Sequence, residues 1–217
     1  MIQKVTLTTS DGKIIIGDYS GKPGGPAVLM LHMMPATRAS WQEFSEKLNN
    51  AGFQTLAIDL RGHGESEGGP EGYKRFSDEE HQASINDVET AVEFLKSKDS
   101  SRLFVAGASI GANLAVWYAA THSDIAGVIL LSPGFDYRGI KTESYARALR
   151  PDQAVYYAAG RDDTYSADTV EKLFLQTPSG AKKEVKIFER AGHGTTIFEK
   201  EPRLMDELAE WLKGLLK

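Results

Sequence analysis

Gly107-Ala108-Ser109-Ile110-Gly111 sets a serine between two glycines at a spacing that can do nucleophilic chemistry. The run Leu103, Phe104, Val105 and Ala106 before it is apolar, short and continuous, as in a buried strand. After it, Leu114, Ala115, Tyr118 and Ala119 fall at helical spacing, so the serine occupies a strand-to-helix turn. Such a turn lifts the hydroxyl above the sheet and aims the first N–H groups of the helix at the same spot. A serine hydroxyl is a weak nucleophile unaided, so the chain must also supply a base, an acid to orient the base, and donors for an oxyanion. A second match to the pattern, Gly64-Glu65-Ser66-Glu67-Gly68, has no apolar strand before it and Gly69-Pro70 behind it, and reads as loop.

Ligands in an open parallel sheet meet at the carboxyl ends of the strands, and of the five histidines only His32, His63 and His193 fall just after predicted strands. His81, at the polar start of a helix, and His122, at a helix end, read as solvated or capping groups. His193 lies in Ala191-Gly192-His193-Gly194, where glycines let an imidazole reach back across the sheet, and is the candidate base. His32 and His63 precede the serine and are assigned structural roles. Two carboxylates at a strand end, Asp162 and Asp163, are candidates for the acid. At least one of them should be a solvated turn residue or a helix cap, although Ser166 suits capping of the following helix better than either.

The elements that must position these residues are spread over 217 residues, 41% hydrophobic and 25% charged, which suit one globular domain spanning residues 1–217. A net charge of −5 with no long Lys/Arg run argues against a nucleic-acid partner. With no cysteine there is no disulfide, thiolate nucleophile or Cys-based zinc site. No apolar run reaches about 18 residues and the N-terminus lacks a signal-peptide pattern, so no membrane association is expected and the cytoplasm is the default location.

Strands are predicted over 5–8 and 13–19 around an Asp11-Gly12 turn, then 27–31, 53–60, 103–106, 127–131, 153–159 and 184–188. Helices alternate with them from residue 27 onward. Ser40-Trp41-Gln42-Glu43 and Ser77-Asp78-Glu79-Glu80 both read as capping boxes, and Pro202 opens the last helix. The fold class is therefore α/β, a mostly parallel central sheet with helices on both faces. Only about twenty residues separate Ser132 from Gln153, too few for a substantial cap domain.

Ser109, then an aspartate, then His193, together with Leu56-Ala57-Ile58-Asp59-Leu60-Arg61-Gly62-His63-Gly64-Glu65-Ser66, resemble the α/β-hydrolase family over nearly the whole chain. The resemblance is to its small lidless serine carboxylesterases and dienelactone-hydrolase-like branch, though that branch often uses cysteine. It implies Asp163 as the acid, three residues after Gly160, and structural roles for Asp59, Arg61 and His63. It also implies an oxyanion hole from the N–H groups of Ile110 and Met34, with Met33 standing where the family pattern has glycine. The activity implied is hydrolysis of carboxylic esters, short-chain or small and soluble, through an acyl-enzyme and without cofactor or metal. Met33, Phe135, Tyr137 and Tyr145 lie on loops at that end and suit an apolar acyl pocket. A thioesterase, a serine aminopeptidase-like hydrolase or a non-catalytic ligand-binding protein of the same fold are the alternatives.

Overall fold

The computed structural model describes residues 2–216. Its strands are β1 (Gln3–Thr8), β2 (Ile14–Ser20), β3 (Ala27–Leu31), β4 (Gln54–Ile58), β5 (Leu103–Ala108), β6 (Ile125–Leu131), the short β7 (Asp136–Tyr137) and β8 (Ile140–Lys141), β9 (Ala154–Gly160) and β10 (Lys182–Phe188). Eight of them form one sheet in the order β1-β2-β4-β3-β5-β6-β9-β10, and β7 and β8 pair as a separate hairpin. β1 and β2 run antiparallel, as does β2 against β4, and every pairing from β4 to β10 is parallel. The parallel strands β3, β4, β5 and β9 are buried at every position, because helices cover both faces and leave no solvated side to alternate toward.

The helices are α1 (Gln42–Asn50), α2 (Asp78–Gln82), α3 (Ile85–Lys96), α4 (Ile110–Thr121), α5 (Glu143–Ala148), α6 (Thr164–Gln176), α7 (Thr196–Lys200) and α8 (Arg203–Gly214). Leu29, Val105, Leu114, Val128 and Val170 belong to the core on one face, where α3, α4 and α6 pack. Trp41, Phe44, Phe198, Leu208 and Leu212 fill the other, beneath α1, α7 and α8. α4 is buried on nearly all sides, so it is the central helix.

The two predicted capping boxes part company. At α2 the Ser77 side chain accepts from the Glu80 N–H and the Glu80 carboxylate accepts from the Ser77 N–H at 2.7 Å. At α1 there is no box: a 3₁₀ turn over Arg38–Trp41 runs straight into the helix, and the Ser40 hydroxyl donates to the Thr37 carbonyl at 2.9 Å. His81 corrects another expectation, being buried at 2% exposure with its ring edge-on to Phe76. The connection from Ser132 to Gln153 holds only the β7–β8 hairpin and α5 and forms no cap domain. Among the described residues no helix is long and apolar enough to cross a membrane.

Candidate active site

β5 is the middle of the parallel block, with β3 on one side and β6 on the other. It runs into α4 through Ser109, whose φ of 54° and ψ of −120° lie outside the regions open to most L-residues. Strain of that kind, about 1–3 kcal/mol, persists only where surroundings enforce it. Here the Ser109 N–H stays on the sheet ladder, donating to Leu131 O at 2.9 Å, while its carbonyl accepts from Ala112 N–H at 2.9 Å in the first turn of α4. The flanking glycines allow the bend: a Cβ at Gly107 would fall 2.1 Å from Gly111 O, and one at Gly111 would fall 2.3 Å from Leu31 O. The second contact also draws the start of α4 against the end of β3, where the Met33-Met34 loop begins.

His193 follows β10. Its Nδ1 lies 2.6 Å from Asp163 Oδ2, so with the carboxylate accepting, Nδ1 carries the proton and the Nε2 lone pair is free. Asp163 follows β9 and is also the N-cap of α6, its other oxygen accepting from Ser166 N–H at 3.4 Å. The expectation that Ser166 would cap α6 is thus corrected: Ser166 sits inside the first turn and Asp163 does the capping. Burial pushes the Asp163 carboxyl up, but the hydrogen bonds from His193 and Ser166 together outweigh it and hold the group below its ordinary range.

The neighbouring aspartate is the exposed turn residue expected, and it does more than face solvent. Asp162 Oδ1 accepts from Ala191 N–H at 3.0 Å and Gly192 N–H at 3.1 Å, tying the histidine loop to the end of β9. These backbone bonds, led by that from Gly192, hold its pKa below the usual carboxylate value. Two further clamps act on the same loop. Gly194 N–H donates to Ser132 Oγ at 2.9 Å, and His193 N–H donates to Thr196 Oγ1 at 2.9 Å. A Cβ on Gly194 would stand 3.4 Å from the Ala108 Cβ and 2.4 Å from the Met33 sulfur. The loop therefore lies directly over the residue preceding Ser109, with Met33 beside it.

Of the candidate oxyanion donors, Ile110 opens α4 and has no intrahelical acceptor for its N–H. Met34 lies on the loop after β3, half-buried beside the same core as α4. Of the proposed pocket residues, Tyr137 turns inward, its ring edge-on to His193 with centroids 6.3 Å apart. Phe135 packs against Tyr165 with Lys172 over its ring, and Tyr145 stacks on Trp117. The cavity of about 410 Å³ lined by Asp11, Lys13, Arg61 and Phe76 includes none of the strand-end residues around Ser109.

The remaining histidines and Ser66 are built into the scaffold. His32 Nε2 accepts from Leu60 N–H at 3.0 Å and its Nδ1 lies 2.9 Å from Met33 O, which braces the ends of β3 and β4 together. Burial drives its pKa down to about 4. His63 stacks on Tyr73. Ser66 Oγ donates to Asp59 O at 2.6 Å and accepts from Ile16 N–H at 2.9 Å. Arg61 makes a fork on Asp87, with Nε and Nη2 at 2.9 and 2.7 Å from Oδ1, while Asp59 accepts from Arg38 N–H at 2.8 Å and Glu65 N–H at 2.9 Å.

Asn113 is a positioning residue that the pattern reading missed, though a lone polar side chain in the apolar run of α4 was a visible signal. One turn after Ser109, its amide donates to Gly134 O at 3.0 Å and Ile140 O at 2.7 Å, and its oxygen accepts from Gly134 N–H at 3.0 Å. The β7–β8 hairpin is thereby fixed to the helix that follows Ser109.

Similar proteins agree on the fold. An esterase from Pyrococcus furiosus superposes with a TM-score of 0.81 at 20% identity, covering 100% of this chain and 91% of that one. A dienelactone hydrolase from Anabaena variabilis gives 0.75 at 18% identity, over 99% and 96%. In sequence, epoxide hydrolase B of Mycobacterium tuberculosis is 34% identical over 126 residues, 58% of this chain and 33% of that protein. The chain thus covers only about a third of that relative's length. A thermostable monoacylglycerol lipase from Bacillus is 26% identical over 163 residues, 75% of this chain and 61% of its own length. The family model described as serine aminopeptidase, S33, matches residues 25–152, a span that takes in β3 through α5 and Ser109 but stops short of Asp163 and His193. A match over more than half its length, on a sheet of this order, makes the chain a member of that α/β-hydrolase family.

Proposed function

We propose that this protein is a serine hydrolase of small carboxylic esters, acting through Ser109, His193 and Asp163. The observation that carries the reading is the 2.6 Å contact between His193 Nδ1 and Asp163 Oδ2 on a loop lying over the strained Ser109 turn. Asp163 fixes the tautomer that leaves Nε2 as base and stabilises the imidazolium that forms. Ser109 Oγ attacks the ester carbonyl as His193 takes its proton, the developing oxyanion is held by Ile110 and Met34 N–H, and water then releases the acid from the acyl-enzyme.

The names of similar proteins, an esterase and a monoacylglycerol lipase, support ester chemistry. The epoxide hydrolase relatives do not redirect it, because serine attack on an epoxide would leave a β-hydroxy ether that water does not cleave at neutral pH. An aminopeptidase would need a carboxylate to hold the free α-ammonium group. The two carboxylates at the end of β9 already have partners, Asp163 in His193 and Asp162 in the N–H groups of Ala191 and Gly192.

Labelling with a fluorophosphonate followed by peptide mapping tests the nucleophile. The adduct is expected on Ser109 and abolished by Ser109→Ala, while Ser66→Ala keeps labelling at Ser109 if it folds. An adduct on Ser66 overturns the assignment. Rates on matched ester, thioester and aminoacyl-amide substrates then decide the class, with the ester expected to be fastest.

A further inference from the structure

The hairpin after β6 carries one side chain toward Ser109. Its backbone is held by Asn113, by Thr142 Oγ1 donating to Gly134 O at 2.9 Å, and by the Tyr165 hydroxyl, which accepts from Asp136 N–H at 2.9 Å. The Tyr137 ring is seated on Gly134 so closely that a Cβ there would lie 2.6 Å from Cε2 and Cζ of the ring. The hydroxyl at its tip lies 3.2 Å from Ser166 Oγ, and the Ser109 hydroxyl is among the groups that act to lower its pKa. The ring stands edge-on to His193, and Ser166, which meets the phenol hydroxyl, also donates its N–H to Asp163, so Tyr137 borders the His193–Asp163 pair.

Sheet order gives this position its meaning. The oxyanion donors lie on the β3 side of Ser109 and at the start of α4, whereas Tyr137 lies on the β6 side. A tetrahedral carbon on Ser109 Oγ whose oxyanion faces Ile110 must turn another substituent toward β6. The leaving oxygen has to meet His193 Nε2, and His193 and Tyr137 border the same space.

We propose that the Tyr137 hydroxyl is a catalytic hydrogen-bond donor to the alkoxy oxygen leaving the substrate and, in the second half-reaction, to the water that enters; this rests on the serine-hydrolase reading above. In acylation the Oγ–carbon bond forms and the Ser109 proton passes to His193 Nε2. As the carbon–alkoxy bond breaks, that proton passes on to the alkoxy oxygen, while Tyr137 steadies the oxygen and keeps its own proton. Deacylation runs the same path in reverse, with water in place of alcohol. Burial raises the Tyr137 pKa, with the Ser166 and Ser109 hydroxyls only partly offsetting it, so the phenol remains a donor at neutral pH. Either hydroxyl can donate across the 3.2 Å contact; when Ser166 gives its proton to the phenol oxygen rather than to Ser132 O at 3.4 Å, the phenol proton is free for the substrate.

The test uses Tyr137→Phe and kcat/KM for two esters of one short acid, an ethyl ester and a p-nitrophenyl ester. Ethoxide leaves poorly without assistance and p-nitrophenolate leaves readily. The ethyl ester should lose on the order of thirtyfold and the p-nitrophenyl ester less than about fivefold, somewhat below the loss of an oxyanion-hole donor. Equal losses on both, as a merely structural role would give, overturn the proposal, as does no loss on either. Should that variant not fold, Tyr137→Leu, measured on the same two esters, decides by the same comparison. If the unsubstituted protein takes no fluorophosphonate and cleaves neither ester, the serine-hydrolase reading itself fails.

Discussion

A carboxylate orients an imidazole only if the carboxylate is itself held, and Asp163 is held because it caps α6 while it faces His193. Asp163→Asn should therefore cut kcat by about 10³ to 10⁴, the scale of a histidine left in the wrong tautomer, with the melting transition retained. Asp162 tests differently, since its work is to receive two backbone N–H groups of the histidine loop. An amide oxygen can still accept both, but its NH2 would face the Gly192 N–H where Oδ2 now accepts at 3.1 Å, so Asp162→Asn should cost about two- to threefold in kcat, whereas Asp162→Ala should lower it by roughly tenfold through a looser loop. Equal damage from both Asp162 variants would show that its charge, not its acceptor geometry, matters. The two neighbours were hard to tell apart in sequence because each serves a partner about thirty residues away, and one-dimensional spacing does not show which way a strand-end side chain turns. Ser109 and His193 were legible because strand, turn and glycine patterns mark their settings locally.

At the scale of elements, local chemistry was readable where it was self-contained. The box at Ser77 and Glu80 depends on four consecutive residues and forms as its pattern says. The same pattern at Ser40 fails because the 3₁₀ turn has already begun at Arg38, leaving Ser40 no free N–H to cap. Ser77→Ala should cost about 1 kcal/mol of stability and Ser40→Ala only a few tenths, measured by urea unfolding. A larger loss at Ser40 would contradict this placement of the two caps. The β7–β8 hairpin escaped notice because two-residue strands carry no periodicity, and its position is set by Asn113 on another element. Gly107→Ala probes the elbow. With Gly111 O only 2.1 Å from the added carbon, it should destabilise by about 1–3 kcal/mol and abolish fluorophosphonate labelling. Retained labelling would mean that the turn relaxes without moving the serine.

For the whole molecule, the sheet and its helices followed from alternating apolar runs, but the buried polar interior did not, since burial of His81 or Asp87 depends on what packs over them. That interior sets an acid limit. Burial lowers the pKa of His32 to about 4, and it also lowers those of His63 and His81. In the unfolded chain these groups take up protons near 6.5, so the unfolded state binds more protons below that pH and stability falls as pH drops toward 4. His32 alone corresponds to a loss on the order of 3 kcal/mol. Asp87, raised by burial to about 6, opposes this over part of the window, one group against three. Urea unfolding at pH 7 and pH 4.5 should show the decline, and equal stabilities would refute it. The brief connection between β6 and β9 also builds no cap domain beyond the β7–β8 hairpin and α5, so esters of short acids should have the higher kcat/KM, with no rate jump at a lipid–water interface. Preference for emulsified long-chain triglyceride would refute this.

The tip of the β7–β8 hairpin has a use outside catalysis. Arg138 and Gly139 are both exposed and both have positive φ, 56° and 79°, as in the tightest two-residue turn, and the backbone behind them is pinned at Gly134 and Ile140. New chain spliced between them would enter and leave at nearly one point, without shifting the sheet, and would emerge at the end of the sheet that carries Ser109. The scaffold is in that sense a minimal chassis with its docking port already in place. Modules grafted there would be screened for the substrates they admit, while the machinery below stayed the same.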